Sequence, residues 1–311
     1  MPNLLLRSPQ YKTATSTVSA KLTISIDTGD GSGFVLRYTI IKNAINNVVV
    51  FDIAELCRDY IEHTFGSTNP AKTVAISTQI TKYDAVDGTG NATVENSVGD
   101  VGYDGYGLFT AGADPTIGTA GQAIQTNTDI YLPDNTAGYI PINYSTGQIA
   151  ISTTDTTKQI GSPLVTFTIH RVCDTKFGSS KITFLNRFGA LQEMYFFHKS
   201  TEDINTTSQN YKRNIFNYAT ASYSVTDHQV QTFNINATKK TTLNTPYVTE
   251  GYNDAIEELM LSEHVWLTQG STTHPVTPST KSLTFKTSAN DKLVQYAIEF
   301  NHASDVINNV R

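Results

Sequence analysis

KITFLNRFGALQEMYFFHKSTEDINTTSQNYKRNIF, residues Lys181 to Phe216, is the stretch on which the reading of the fold turns. Apolar runs at Ile182 to Leu185 and Met194 to Phe197 flank Asn186-Arg187-Phe188-Gly189, where Gly189 supplies the positive φ that a tight connection needs. The pattern predicts a β-hairpin. Its second arm, Met194-Tyr195-Phe196-Phe197, does not alternate, so both faces are expected to be covered, as inside a packed sandwich. The polar run from Thr201 to Asn214 then carries Tyr211-Lys212-Arg213 away from the hairpin. The stretch reads as architecture and not as a reaction centre.

Outward from it, composition agrees. Charged residues are 16% of the 311, against about a quarter in ordinary globular domains. Thr, Ser and Asn are plentiful, a balance that favours strands with uncharged polar surfaces over solvated helices. The length supports more than one core. A net charge of -6 offers no basic field for phosphates, so nucleic acid is not an expected partner. No apolar run nears the roughly 20 residues of a membrane-spanning helix. Met1-Pro2-Asn3-Leu4-Leu5-Leu6-Arg7 is too short in apolar core for a secretory signal and reads as a mature N-terminus. Cys57, in an expected helix, and Cys173, ending an expected strand, read as reduced, partly buried thiols in preference to a disulfide.

Residues 1–66 read as an N-terminal β-domain. Ala20 to Ile26 alternates to set Leu22, Ile24 and Ile26 on one face, and Phe34 to Ile40 does the same with Phe34, Leu36, Tyr38 and Ile40. The turn composition Asp27-Thr28-Gly29-Asp30-Gly31-Ser32-Gly33 lies between them. A strand at Val48 to Phe51 leads into an expected helix, Asp52 to Glu62, with Ile53, Leu56, Tyr60 and Ile61 at helical spacing and Asp52 as its cap. Residues 67–160 read as a loop-rich β insertion: a strand from Lys72 to Tyr83, then a Gly-, Asn- and Thr-rich run from Asp84 to Gly147. In that run Tyr103, Tyr106 and Phe109 are expected to pin an ordered surface loop. Residues 161–311 read as a C-terminal β-sandwich-like domain. Its further strands are expected at Leu164 to Val172, Ser222 to Val230, Gln231 to Thr238, Val265 to Leu267, Leu283 to Phe285 and Val294 to Phe300, with a helix at Asn253 to Ser262. The expected class is mainly β: two antiparallel sandwich-like domains, each with one short helix, and the insertion.

Motifs for chemistry are thin. Ile24-Ser25-Ile26-Asp27-Thr28-Gly29 has the order of an aspartic-protease loop, but Asp30 follows where a small residue is needed and no second Asp-Thr-Gly supplies the partner carboxylate. As a calcium loop, Asp27 and Asp30 lack the closing Glu. The seven histidines are scattered, and His170 and Cys173 sit at an offset that a strand sends to opposite faces. No Gly-x-Ser-x-Gly elbow or phosphate-binding Gly-x-x-x-x-Gly-Lys loop occurs. No catalytic, metal or cofactor residue is therefore assigned. The aromatics, 16 Tyr and 14 Phe against one Trp, suit core and recognition surfaces alike.

The hairpin around Asp27-Thr28-Gly29, the segment Phe51-Asp52-Ile53-Ala54-Glu55-Leu56-Cys57-Arg58-Asp59-Tyr60-Ile61, the run Asp104-Gly105-Tyr106-Gly107, Asn186-Arg187-Phe188-Gly189, Asn210-Tyr211-Lys212-Arg213 and the expected helix and strand from Ile256 to Leu267 together resemble tail-associated structural proteins of tailed bacteriophages, those of marine phages in particular. The resemblance covers most of the chain and carries no catalytic residues. It implies a virion subunit, made in the host cytoplasm, that builds a tail or baseplate ring with copies of itself and other virion proteins. Interface residues are then expected at Tyr103, Tyr106, Phe109, Tyr211, Lys212 and Arg213. Two other readings stand beside it: a host-attachment module whose 84–147 segment contacts a receptor or glycan, and a hydrolase hidden in that segment.

Overall fold

Strands dominate the computed structural model, which describes residues 3–66, 71–143, 147–173, 177–282, 284 and 294–307. Two short α-helices accompany them among the described residues. The chain forms two compact units, residues 1–173, 183–194 and 251–264 in the first and 174–182, 195–250 and 265–311 in the second.

The first unit opens with β1 (Asn3–Leu5), β2 (Tyr11–Thr15), β3 (Ser19–Asp27), β4 (Val35–Asn43), β5 (Val48–Asp52), α1 (Ala54–Arg58), β6 (Thr73–Tyr83), β7 (Ala92–Val94) and β8 (Val98–Tyr103). They make a six-stranded sheet of order β1-β8-β6-β3-β4, with β7 also on β6, and a separate β2-β5 pair. Alternation decides which face is covered. Leu22, Ile24 and Ile26 of β3 and Val74 and Ile76 of β6 meet Phe51, Ile53 and Cys57 in one core. Each full burial of an aliphatic side chain here stabilises the fold by about 2 kcal/mol. The expected alternation of residues 34–40 breaks at a bulge: Ile24 faces Tyr38, but Ser25 faces Leu36. The extra residue reverses the side on which the following side chains fall. Tyr38 and Ile40 therefore pack on the core while Phe34 and Leu36 are exposed.

The expected helix at 52–62 is shorter, ending at Arg58. Its last turns tighten, with Tyr60 N–H donating to Cys57 O and Ile61 N–H to Arg58 O, which lets Tyr60 and Ile61 reach the same core without further helix. Residues 67–160 are less loop-rich than their composition suggests, because β6 and β8 join the sheet of β3. They also supply β9 (Asp129–Pro133), β10 (Gly138–Pro141), β11 (Gln148–Ile151) and β12 (Thr157–Ile160). With β13 (Val165–Val172), these form a three-stranded sheet, β12-β13-β9, and a β10-β11 pair.

The decisive hairpin is present as β14 (Ser180–Leu185) and β15 (Leu191–Phe196), and five of six β15 residues are buried, as the lack of alternation predicts. Both strands change unit part-way along. The chain continues through β16 (Thr201–Lys212), β17 (Phe216–Asn217), β18 (Ser222–Tyr223), β19 (Val230–Asn244), α2 (Asn253–Met260), β20 (Val265–Gln269), β21 (Thr272–Pro278) and β22 (Ala297–Asp305). One sheet has the order β15-β14-β20-β21-β22-β19-β16. In the second unit Phe196 meets Phe300 edge-on, and Val294, Tyr296, Ile298 and Phe300 are all buried, although regular strand starts only at Ala297. Of the expected strand at Leu283 to Phe285, Leu283 and Phe285 lie outside the described residues. The expected strand at Ser222 to Val230 shrinks to β18 and the first residue of β19, with turns between.

Candidate functional site

Two features stand out, a buried charge cluster in the first unit and an uncovered ribbon in the second. The cluster is centred on Asp104, just after β8, whose side chain is 4% exposed. Arg58 Nε donates to its Oδ1 at 2.7 Å, and His63 Nε2 lies 2.9 Å from its Oδ2. Arg58 also pairs with Glu263, to which Arg7 Nη2 donates at 2.9 Å. His264 lies against the His63 ring, centroids 5.2 Å apart. Burial pushes the Asp104 carboxyl up, but hydrogen bonds from His63 and Arg58 outweigh it and hold the group below its ordinary value. Burial, aided by His63, pushes His264 down. The cluster ties together four stretches that are remote in sequence.

Beside it, two backbones approach closely. Tyr106 N–H donates to Arg187 O at 2.8 Å, so the Asp104-Gly105-Tyr106 loop lies on the Asn186-Arg187-Phe188-Gly189 turn. A Cβ on Gly105 would stand 2.5 Å from Arg187 O, and one on Gly189 would stand 2.8 Å from the Asp104 backbone. The turn is braced from within: Asn186 Oδ1 accepts from Phe188 N–H and Ala190 N–H, while its amide donates to Ile124 O. Glu258 of α2 is buried alongside, accepting from the Thr126 hydroxyl and from Arg187 N–H. Burial drives its pKa up to about 7.

Chemically, these groups fasten. Arg7 and Arg58 border a cleft of about 380 Å³ whose lining includes neither His63 nor Asp104. Among the described residues no group of three or more His, Cys, Asp or Glu is placed to hold a metal ion. Asp27 and Asp30 accept from Gly29 N–H and Ser32 N–H, so the Asp-Thr-Gly stretch is a pair of local turns. Cys57 is buried, its thiol pushed up to about 12 by burial, and Cys173 is exposed; both are free. The expectation of partial burial thus fits neither.

The ribbon is formed by β16 and β19, paired antiparallel from Thr201↔Thr242 to Lys212↔Val230. Every residue of β16 is exposed. β19 pairs with β22 only from Thr238 onward, so its earlier part has β16 on one side and no strand on the other among the described residues. Ile204 is 60% exposed, Phe233 64% and Ile235 52%, although the alternation of Phe233, Ile235 and Ala237 had the form of a core strand. The tip adds Phe216, Tyr218, Tyr223 and Val225, all exposed.

The six expected interface residues divide accordingly. Tyr103 is buried, its hydroxyl donating to Asn143 Oδ1 at 2.8 Å, so it packs inward. Tyr106 lies under the Arg7 guanidinium, 5.0 Å from ring centroid to Cζ, with its hydroxyl buried. Phe109 is fully exposed and pins nothing. Tyr211, Lys212 and Arg213 stand together at the far end of the ribbon, where the Tyr211 hydroxyl donates to Gln231 Oε1 at 2.6 Å and Arg213 N–H to Gln229 O at 2.8 Å. The signal for the rest of the ribbon was the long Thr-, Ser- and Asn-rich run itself, which has no second apolar face to bury.

No helix among the described residues is long and apolar enough to cross a membrane. Scans against protein-family models, curated proteins and solved structures found no match to this chain.

Proposed function

We propose that this chain is a structural subunit of a tailed-phage virion, in the tail or baseplate, that acts by protein–protein assembly. One observation carries the reading: a ribbon whose first strand is exposed along all 12 residues and whose second presents Phe233 and Ile235 to solvent. A two-stranded hairpin is marginal in water by itself, and contiguous exposed apolar surface marks sites of association. Such a ribbon suits a subunit whose neighbours supply the missing cover. Few charges and many uncharged polar strand residues suit surfaces that become interfaces, and the resemblance to tail-associated phage proteins gives the particle. The test is mass spectrometry of gradient-purified phage particles from a lysate whose phage encodes this chain. The chain is expected in the particle band in multiple copies; its presence in the cleared supernatant and absence from the band would overturn the reading.

A further inference from the structure

Resting on the assembly reading, we infer that the ribbon's partner is a second copy of this chain, and that the free edge of β16 adds to the free edge of β4 on the next copy. Among the described residues both strands end their sheets: β4 closes the order β1-β8-β6-β3-β4, and β16 closes the order running from β15. An edge strand carries an unpaired row of N–H and C=O groups, and two such rows satisfy each other by strand addition. Lengths match, nine residues in β4 and 12 in β16.

Charge distinguishes this contact from a pair of β4 edges and from a parallel pair of β16 edges. Residues 35–43 carry Arg37 and Lys42 and no acid. Arg37 rests on the Tyr60 ring, Cζ 5.0 Å from its centroid, and Lys42 Nζ donates to Val50 O at 3.1 Å. Among the described residues neither forms an ion pair. β16 opens with Glu202 and Asp203, both exposed. On the neighbouring strand, Lys239 stands 3.8 Å from Glu202, and Lys240, across from Asp203, is held by Glu299 at 2.5 Å. In parallel register two β16 edges would bring Glu202 and Asp203 together, and in antiparallel register they would set those acids against Lys212 at the other end. Two β4 edges bring bases together in either register, whereas β16 on β4 sets the acids against a strand that carries bases alone. Apolar contact follows the same pairing, since Leu36 and Ile41 on β4 and Ile204 on β16 are exposed.

The nine residues of β4 at roughly 3.4 Å each set the paired length at about 30 Å, and an edge about 10 Å thick covers about 300 Å² per partner. That is less than the roughly 800 Å² per partner of a standard interface, so the contact is one that repetition in an assembly reinforces. A head-to-tail contact of this kind uses different surfaces on the two copies, so it propagates into a ring or a filament.

The test is sedimentation velocity on the full chain, with circular dichroism melts to verify folding. One variant carries Glu202→Lys and Asp203→Lys; the other carries Arg37→Glu and Lys42→Glu. Each alone is expected to weaken self-association by about tenfold or more. An equimolar mixture should regain association and growth, because the intact β16 edge meets the intact β4 edge and the two reversed edges also carry opposite signs, and all four changes in one chain should restore association for the same reason. If both variants associate like the parent, the inference falls while the assembly reading stands. If only one variant loses association the contact is of like with like, and if each loses it and mixing restores nothing the two edges do not meet each other; in either case the inference falls. A parent chain that stays monomeric overturns the inference, and presence in purified particles then decides the assembly reading separately.

Discussion

Gly189 shows how one residue joins two distant parts of the chain. Its φ is +78°, and a Cβ would stand 2.8 Å from Asp104 backbone atoms. Gly189→Ala is expected to cost roughly 2 to 4 kcal/mol, combining left-handed strain with overpacking. Gly112→Ala, at φ +69° with nothing within 4 Å, should cost only about 1 kcal/mol. Equilibrium urea unfolding of the two variants measures the difference, and equal losses would mean that the close approach is not tight. Glu258 makes stability depend on pH. Its folded pKa, about 7, lies above the ordinary 4.5, so the folded state holds the proton more firmly than the unfolded state does. Its contribution is full below about pH 4.5 and is lost as pH rises to about 7. His264, pushed down by burial, acts in the opposite sense below its ordinary 6.5. The measurement is therefore a difference: Tm of the parent minus Tm of Glu258→Gln should fall steadily between pH 5 and 8. A flat difference would place Glu258 in a wetter setting than its 4% exposure indicates.

At the scale of elements, the hairpin β14-β15 and the ribbon β16-β19 follow one another in sequence and have opposite fates. The first was legible because Met194 to Phe197 is apolar at successive positions, which fits only a strand covered on both sides. Burial along the second was not, because Phe233, Ile235 and Ala237 alternate as a core strand would, and alternation states which residues share a face but not what that face meets. The β4 bulge is a similar case. Nothing in Phe34-Val35-Leu36-Arg37-Tyr38 announces the extra residue that turns Leu36 outward. The ribbon's exposure has a measurable consequence. Amides of residues 205–212 and 230–237 should exchange with deuterium within seconds to minutes in dilute protein, while those of β3 and β6 exchange over hours or longer. Slow exchange in the ribbon of a dilute monomer would mean that it is already covered.

At the scale of the molecule, the chain divides into two compact units, and two of the five points where it passes from one to the other fall inside the β14-β15 hairpin, a pattern that no shift in composition marks. The charge cluster has the same character. Arg7, Arg58, His63, Asp104 and Glu263 come from separated segments with no motif spacing, so only folding brings them together. Asp104-Gly105-Tyr106 and Asn186-Arg187-Phe188-Gly189, about 80 residues apart, lie backbone to backbone. The sequence by itself determined the mainly β class, the hairpin at 180–196, the alternating strands β3 and β6 and the two helix positions, because these rest on periods of two and 3.6 residues that local chemistry imposes. Which faces are covered, which edges stay open and which remote charges meet was decided only by the tertiary structure, because burial and pairing depend on what the rest of the chain places alongside.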